Sequence, residues 1–302
     1  MFHASGRTAL MASIGAVAAA AVPASPCRGA VIPAGLHARA EALEWIAPYV
    51  GVGAQDLDTG HVAGPGMLAT ATASMTPSST SSALGFAHYG FLVNDSTVNG
   101  MFAVGSGQES YAQANTKTSF RDNQVVVLSD SVAPGTAGTL TAQYVIDRVI
   151  DFDLDALAGF GGAALVIGGF NIDVMIGSTL TNYSGTWTYN AVTGVLTQPS
   201  IPNGLIQKMV PFQYGVPFTI AAAVELKLTV YTEGVATSEA DAQFSLGPAF
   251  IWDGITAGLP EDATVSSPDV PDWRAPYGLP APGAGALALL TAAGACARRT
   301  RR

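Results

Sequence analysis

Phe218-Thr219-Ile220-Ala221-Ala222-Ala223-Val224-Glu225-Leu226-Lys227-Leu228-Thr229-Val230-Tyr231 decides the fold. From Val224 onward, apolar side chains alternate with Glu225, Lys227 and Thr229. That is the two-residue period of a strand with one face in a core and the other toward water. Working outward, shorter runs with β-branched content or the same alternation recur at 68–74, 82–93, 100–104, 108–114, 124–129, 140–154, 164–167, 171–176, 183–189, 205–212 and 240–246. Asn94-Asp95, Asn99-Gly100, Pro134-Gly135 and Asn203-Gly204 supply turn chemistry between them, and Gly168-Gly169 reads as a further turn. Strands that follow one another without helices pair antiparallel, because parallel pairs need long crossovers. The expected fold is all-β: an antiparallel, jelly-roll-like β-sandwich over 67–258, with terminal signal and sorting helices.

The flanks of this domain read differently. At 36–47 the spacing of Leu36, Ala40, Leu43 and Ile46, with Glu41 and Glu44 between them, predicts one short amphipathic helix, the alternative being an irregular lead-in. Residues 51–66 are rich in Gly, Asp and Pro and read as a loop, so 31–66 forms a lead-in. At the other end 259–278 holds Pro260, Pro268, Pro271 and Pro276 among Asp and Ser, the composition of an extended tether.

Composition bounds the function. Of the 302 residues 49% are hydrophobic and 12% charged, enough apolar surface for a full core. Between residues 31 and 279 seven Lys and Arg face all 22 Asp and Glu, a formal charge of −15. Such a field repels phosphate backbones and argues against nucleic-acid binding. Both cysteines, Cys27 and Cys296, fall in or beside the terminal segments, so neither a structural disulfide nor a Cys/His zinc site is expected.

Each end carries an address. Residues 1–30 run from His3 and Arg7 through the apolar stretch 9–22 to small residues around Ala24, the grammar of a signal peptide cut by signal peptidase after Ala24. Pro26 directly before Cys27 is wrong for a lipidation site. The chain closes with Leu279-Pro280-Ala281-Pro282, an apolar run at 284–297, and Arg298, Arg299, Arg301 and Arg302. As a helix the 14 apolar residues measure ~21 Å, short of the ~30 Å hydrocarbon core, which suits transient membrane association. The four arginines would hold that end in the cytoplasm while the body lies outside.

The proline pair, short apolar run and terminal arginines over 279–302 resemble a PEP-CTERM sorting signal, the substrate of exosortase. The usual motif is Val-Pro-Glu-Pro, and Ala281 stands here where glutamate is commonest. The resemblance implies that Pro280, Pro282, Arg298, Arg299, Arg301 and Arg302 form the sorting signal. It also implies that exosortase cuts near the prolines and that the body is released or re-attached at the cell surface of a Gram-negative-type bacterium making exopolysaccharide. Residues 211–231 and Ala240-Asp241-Ala242-Gln243-Phe244 are similar to an element that recurs in the bodies of such proteins, one with no known chemistry.

Three constellations bear on chemistry. Asp151, Asp153 and Asp155 project from one face of a strand and are candidate calcium ligands, the other reading being a solvated acidic face. The loop form of a calcium site is excluded by Ala156 and Gly162 where it needs Gly and Glu. Tyr183, Trp187 and Tyr189 share parity and form a candidate carbohydrate-stacking face, with core packing the alternative. Gly105-Ser106-Gly107 lacks the spacing of a nucleophile elbow, and His88 reads as a structural histidine, so no catalytic residue is assigned. The expectation is an exported, non-enzymatic surface or matrix protein that contacts exopolysaccharide or calcium. The alternative is a secreted hydrolase acting on extracellular polysaccharide.

Overall fold

The computed structural model describes residues 32, 34–46, 50–60, 66–75, 79–103, 109–152, 163–190, 193–198, 203–233 and 239–276. The expected signal peptide and sorting signal lie outside the described residues. Among those residues no helix occurs: fourteen strands form two sheets, and every pair within them is antiparallel.

The first sheet runs, edge to edge, β10 (Val195–Thr197), β9 (Thr179–Asn190), β8 (Ala163–Ile176), β12 (Phe218–Glu233), β6 (Glu109–Leu128), β1 (Gly35–Ile46) and β2 (Val50–Gly60), with β14 (Thr264–Ser266) added to β6. The second runs β11 (Gly204–Gln213), β7 (Ala137–Phe152), β13 (Glu239–Ala257), β5 (Phe91–Ala103), β4 (Ser79–His88) and β3 (Met67–Met75). The inner faces meet in one core, giving a β-sandwich-like body.

The decisive run is β12, near the middle of the first sheet. Ile220, Ala222, Val224, Leu226, Leu228 and Val230 are buried inward, while Glu225 is exposed on the opposite face. Beside it β6 buries Ala112, Ala114, Thr116, Thr118, Phe120 and Asp122, then switches to Val125 and Val127. The change of parity is a β-bulge: two steps of β12, Phe218 to Ile220, span three of β6, Val125 to Asp122. The extra residue lets one 20-residue strand keep a core face along its length.

The core is graded. Around β1, β3 and β4 it is lined by Ala38, Ala40, Ala69, Ala71, Ala83 and Ala87, so the sheets approach closely. A Cβ on Gly85 would lie 2.9 Å from Thr118 Cγ2 and 3.4 Å from the Arg39 carbonyl oxygen. The buried Asn94 donates from Nδ2 to the Val224 carbonyl at 3.1 Å and accepts from the Thr118 hydroxyl, linking the two sheets through a satisfied polar group. Around β7, β9 and β13 the filling is aromatic: Tyr144, Trp187, Phe250 and Trp252.

The expected helix at 36–47 is strand β1. Leu36, Ala38, Ala40 and Ala42 are buried while Arg39 is exposed, so the alanines take a period of two where Leu36, Ala40, Leu43 and Ile46 suggested 3.6. Strand neighbours on both edges, β6 and β2, supply the hydrogen bonds that decide between the two periods. The loop expected from 51 is β2, paired with β1 as far as Gly60. Asn94-Asp95 and Asn99-Gly100 lie within β5, and the turn falls at Tyr89-Gly90, where Gly90 has φ 80°. Gly168-Gly169 lies inside β8, with Gly168 opposite Trp187, which leaves room for the indole against Phe170 at a ring separation of 5.1 Å. The tether expected at 259–278 is, as far as Pro276, folded into the body.

Candidate functional site

Each sheet leaves one strand edge free at the same end of the sandwich. β1 begins at Gly35 opposite Arg121, so β6 beyond that point lacks a neighbour on this side. In the other sheet β5 begins at Phe91 opposite Ile251, which frees the corresponding edge of β13 past Trp252. The chain after β13 fills both gaps. β14 pairs with β6 through Thr264, Val265 and Ser266, and Ile255 N–H donates to the Arg274 carbonyl at 3.2 Å. Residues 259–276 are therefore a clasp that joins the two sheets.

Trp273 is the centre of the clasp. It is 1% exposed, stacks on Phe120 of β6 at 6.0 Å and meets Trp252 of β13 edge-on at 5.4 Å. Its carbonyl accepts from Trp252 Nε1 at 2.9 Å, and its own Nε1 donates to Asp122 Oδ2 at 3.2 Å. Asp122, 2% exposed, also accepts from the Ser267 hydroxyl and, at 3.0 Å, from the Gln124 N–H inside the bulge. With three donors around one buried carboxylate, the interaction is of the strong, charge-assisted kind.

Two outer contacts complete it. The Tyr89 hydroxyl donates to Asp269 at 3.0 Å, and burial first, then the adjoining Asp269 carboxylate, raises the phenol well above its ordinary value. Asp262 accepts from the hydroxyls of Ser129 (2.8 Å) and Ser131 (2.9 Å) and from the Ser131 N–H (2.9 Å). These hydrogen bonds, the Ser129 hydroxyl foremost, lower its carboxyl to about 2. None of this was read from the sequence. The signals were Asp272-Trp273-Arg274, an aromatic amid tether composition, and Asp122 on the inward parity of an alternating run.

Tyr183, Trp187 and Tyr189 do share one face of β9, but it is the core face. Trp187 is 1% and Tyr189 4% exposed, and the Tyr183 hydroxyl shares a 2.8 Å hydrogen bond with that of Tyr144. Trp187 and Tyr189 are enclosed and Tyr183, half-buried, packs against the same core, so the three do not form an open stacking face for a sugar. Asp151 belongs to β7 opposite Ser245, while Asp153 and Asp155 lie outside the described residues, as do Pro280, Pro282, Arg298, Arg299, Arg301 and Arg302. Among the described residues no group of three or more His, Cys, Asp or Glu is placed to hold a metal ion. The outer face of the first sheet is polar, with Asn171, Glu225, Lys117 and Arg39 side by side in one register row.

No protein-family model, curated protein or solved structure matches this chain.

Proposed function

We propose that the protein is an exported, non-enzymatic display domain of a bacterial cell surface or extracellular matrix, held by its C-terminal tail while it is sorted. The observation that supports this most is the clasp. It ties both sheets together through Trp273 and ends at Pro276, four positions before the proline pair of the PEP-CTERM-like signal. A tail held by membrane or enzyme thus pulls on a segment hydrogen-bonded to both sheets, and the body resists being peeled from its C-terminus. In this proposal the body is a jelly-roll-like sandwich flanked in the precursor by a signal helix and a sorting helix, and exosortase acts near Pro280 and Pro282. Exopolysaccharide would meet the polar outer face of the first sheet, where amide, hydroxyl and charged groups stand in rows; the aromatic rings of β9 are unavailable to it.

Intact-mass measurement of surface material from a host carrying exosortase tests the proposal. The expected species lacks the signal peptide and Arg298, Arg299, Arg301 and Arg302. Mature surface protein that keeps those arginines refutes processing, and protein confined to the cytoplasm refutes export.

A further inference from the structure

The two outer faces of the sandwich differ in chemistry. On the second sheet, Phe86, Val93 and Ala249 form one register row across β4, β5 and β13, and Ile251, Val145 and Leu205 form the next across β13, β7 and β11. Their neighbours Ala87, Leu92, Phe250, Tyr144 and Ile146 are the buried ones, which places these six side chains outward, with Leu205 54% exposed. Asp147, exposed on β7, closes the first row beside Ala249, Asp95 stands beyond that row along β5 and Asp253 beyond the second along β13, so the apolar band is bounded by acidic groups.

We infer that this band is the docking surface for the C-terminal segment 284–302 of the same chain. Three observations select that occupant. First, the described residues end against the strand that contributes Ile251: a Cβ added to Gly254 would lie 2.4 Å from the Arg274 oxygen and 3.1 Å from the Pro276 nitrogen. The seven residues 277–283 span up to ~24 Å, enough to reach either row. Second, the segment matches the band in kind: an apolar run at 284–297 followed by Arg298, Arg299, Arg301 and Arg302, against an apolar band with aspartates at its borders in a body of formal charge −15. Third, the band is small. Two staggered rows of three strands each give about 200 Å² at sheet spacings, well under the ~800 Å² per partner of a stable dimer but fitted to a helix of 14 residues, ~21 Å long. Docking would shield the apolar run from water until membrane or enzyme takes it up, and it does not depend on whether the tail is later cut.

Native Cys296 in the segment makes the test direct. The full chain is produced in a host without exosortase, in a Cys27→Ser background and detergent-free buffer, with Ile251→Cys on the band or Glu225→Cys on the opposite face. Under mild oxidation Ile251→Cys should form an intramolecular disulfide with Cys296, read as the loss of two hydrogens in the intact mass. Its rate should exceed that of Glu225→Cys about tenfold or more, because docking raises the effective concentration of the two thiols. Val93→Cys carries the same expectation should Ile251→Cys fail to fold. Equal rates on the two faces overturn the inference, and so does a covalent dimer through residue 251, which would assign the band to a second copy.

Discussion

Trp273 donates its indole N–H to Asp122 across 3.2 Å, joining positions 151 residues apart inside the body. The same carboxylate serves Ser267 and Gln124, so Asp122→Ala leaves an indole N–H, a hydroxyl and a backbone N–H without their acceptor. At 1–3 kcal/mol for a buried unsatisfied donor, and with partial relief by water, a loss of about 3 kcal/mol is expected. Urea unfolding should show the midpoint falling with the slope unchanged. Trp273→Phe keeps an aromatic ring but removes the donor and part of the buried indole volume, so it should lose about 2–3 kcal/mol. If both variants unfold with the parent, the clasp adds no stability.

Gly254 and Gly194 both have positive φ, 92° and 66°, yet they should respond differently to alanine. At Gly194 nothing lies within 4 Å of an added Cβ, so only the backbone preference is lost, about 1 kcal/mol. At Gly254 the new methyl would meet the Arg274 oxygen at 2.4 Å, and the clasp must move. Gly254→Ala should therefore expose the bond after Arg274 to trypsin well before the rest of the body is cut, while Gly194→Ala should digest like the parent.

The class of fold was legible because β12 and β6 carry long alternating runs whose parity is the parity of burial. The helix expected over 36–47 arose because alanine serves either period: Ala40 falls on the helical spacing of Leu36, Leu43 and Ile46, yet it packs on the core together with Ala38 and Ala42 at a period of two. Turn residues misled at Asn94, whose amide is spent on Val224 and Thr118 inside the core, a use that depends on strands 24 and 130 positions away. The clasp was hidden for a similar reason. Prolines and aspartates give 259–276 a tether's composition, and its order comes from β6, β13 and the Tyr89 turn, which sequence places far off. Parity grouped Tyr183, Trp187 and Tyr189 correctly but cannot say which face of the sheet is inside.

Tyr144 and Tyr183 answer each other's hydroxyl at 2.8 Å between the sheets, and burial foremost, then the Tyr183 hydroxyl, pushes the Tyr144 phenol up. Tyr144→Phe or Tyr183→Phe leaves one hydroxyl without this partner and should lower stability by about 1 kcal/mol each. The double variant removes both polar groups and should lose less than the two single losses together. A double-mutant cycle by thermal or urea unfolding measures the difference, and strict additivity would show that the pair is not coupled.

Asp262 and Asp95 should pull the acid stability of the protein in opposite directions. Hydrogen bonds from Ser129 and Ser131 hold Asp262 at about 2 in the fold against an ordinary 3.8, so the unfolded chain binds the proton more readily. Its contribution is complete above the ordinary value and is lost as pH falls through about 2. Asp95 is raised, chiefly by burial, with the Thr97 hydroxyl and Ser96 N–H opposing. The folded state then binds the proton more readily, so this group lowers stability as pH rises through and beyond the ordinary carboxylate range. Asp262→Asn should therefore flatten the loss of stability between about pH 4 and pH 2. Asp95→Asn should raise the melting temperature at neutral pH and converge on the parent in acid. Melting curves across that range separate the two, and a neutral-pH melting temperature that falls in Asp95→Asn would mean its hydrogen bonds to Thr97 and Ser96 outweigh the burial of its charge.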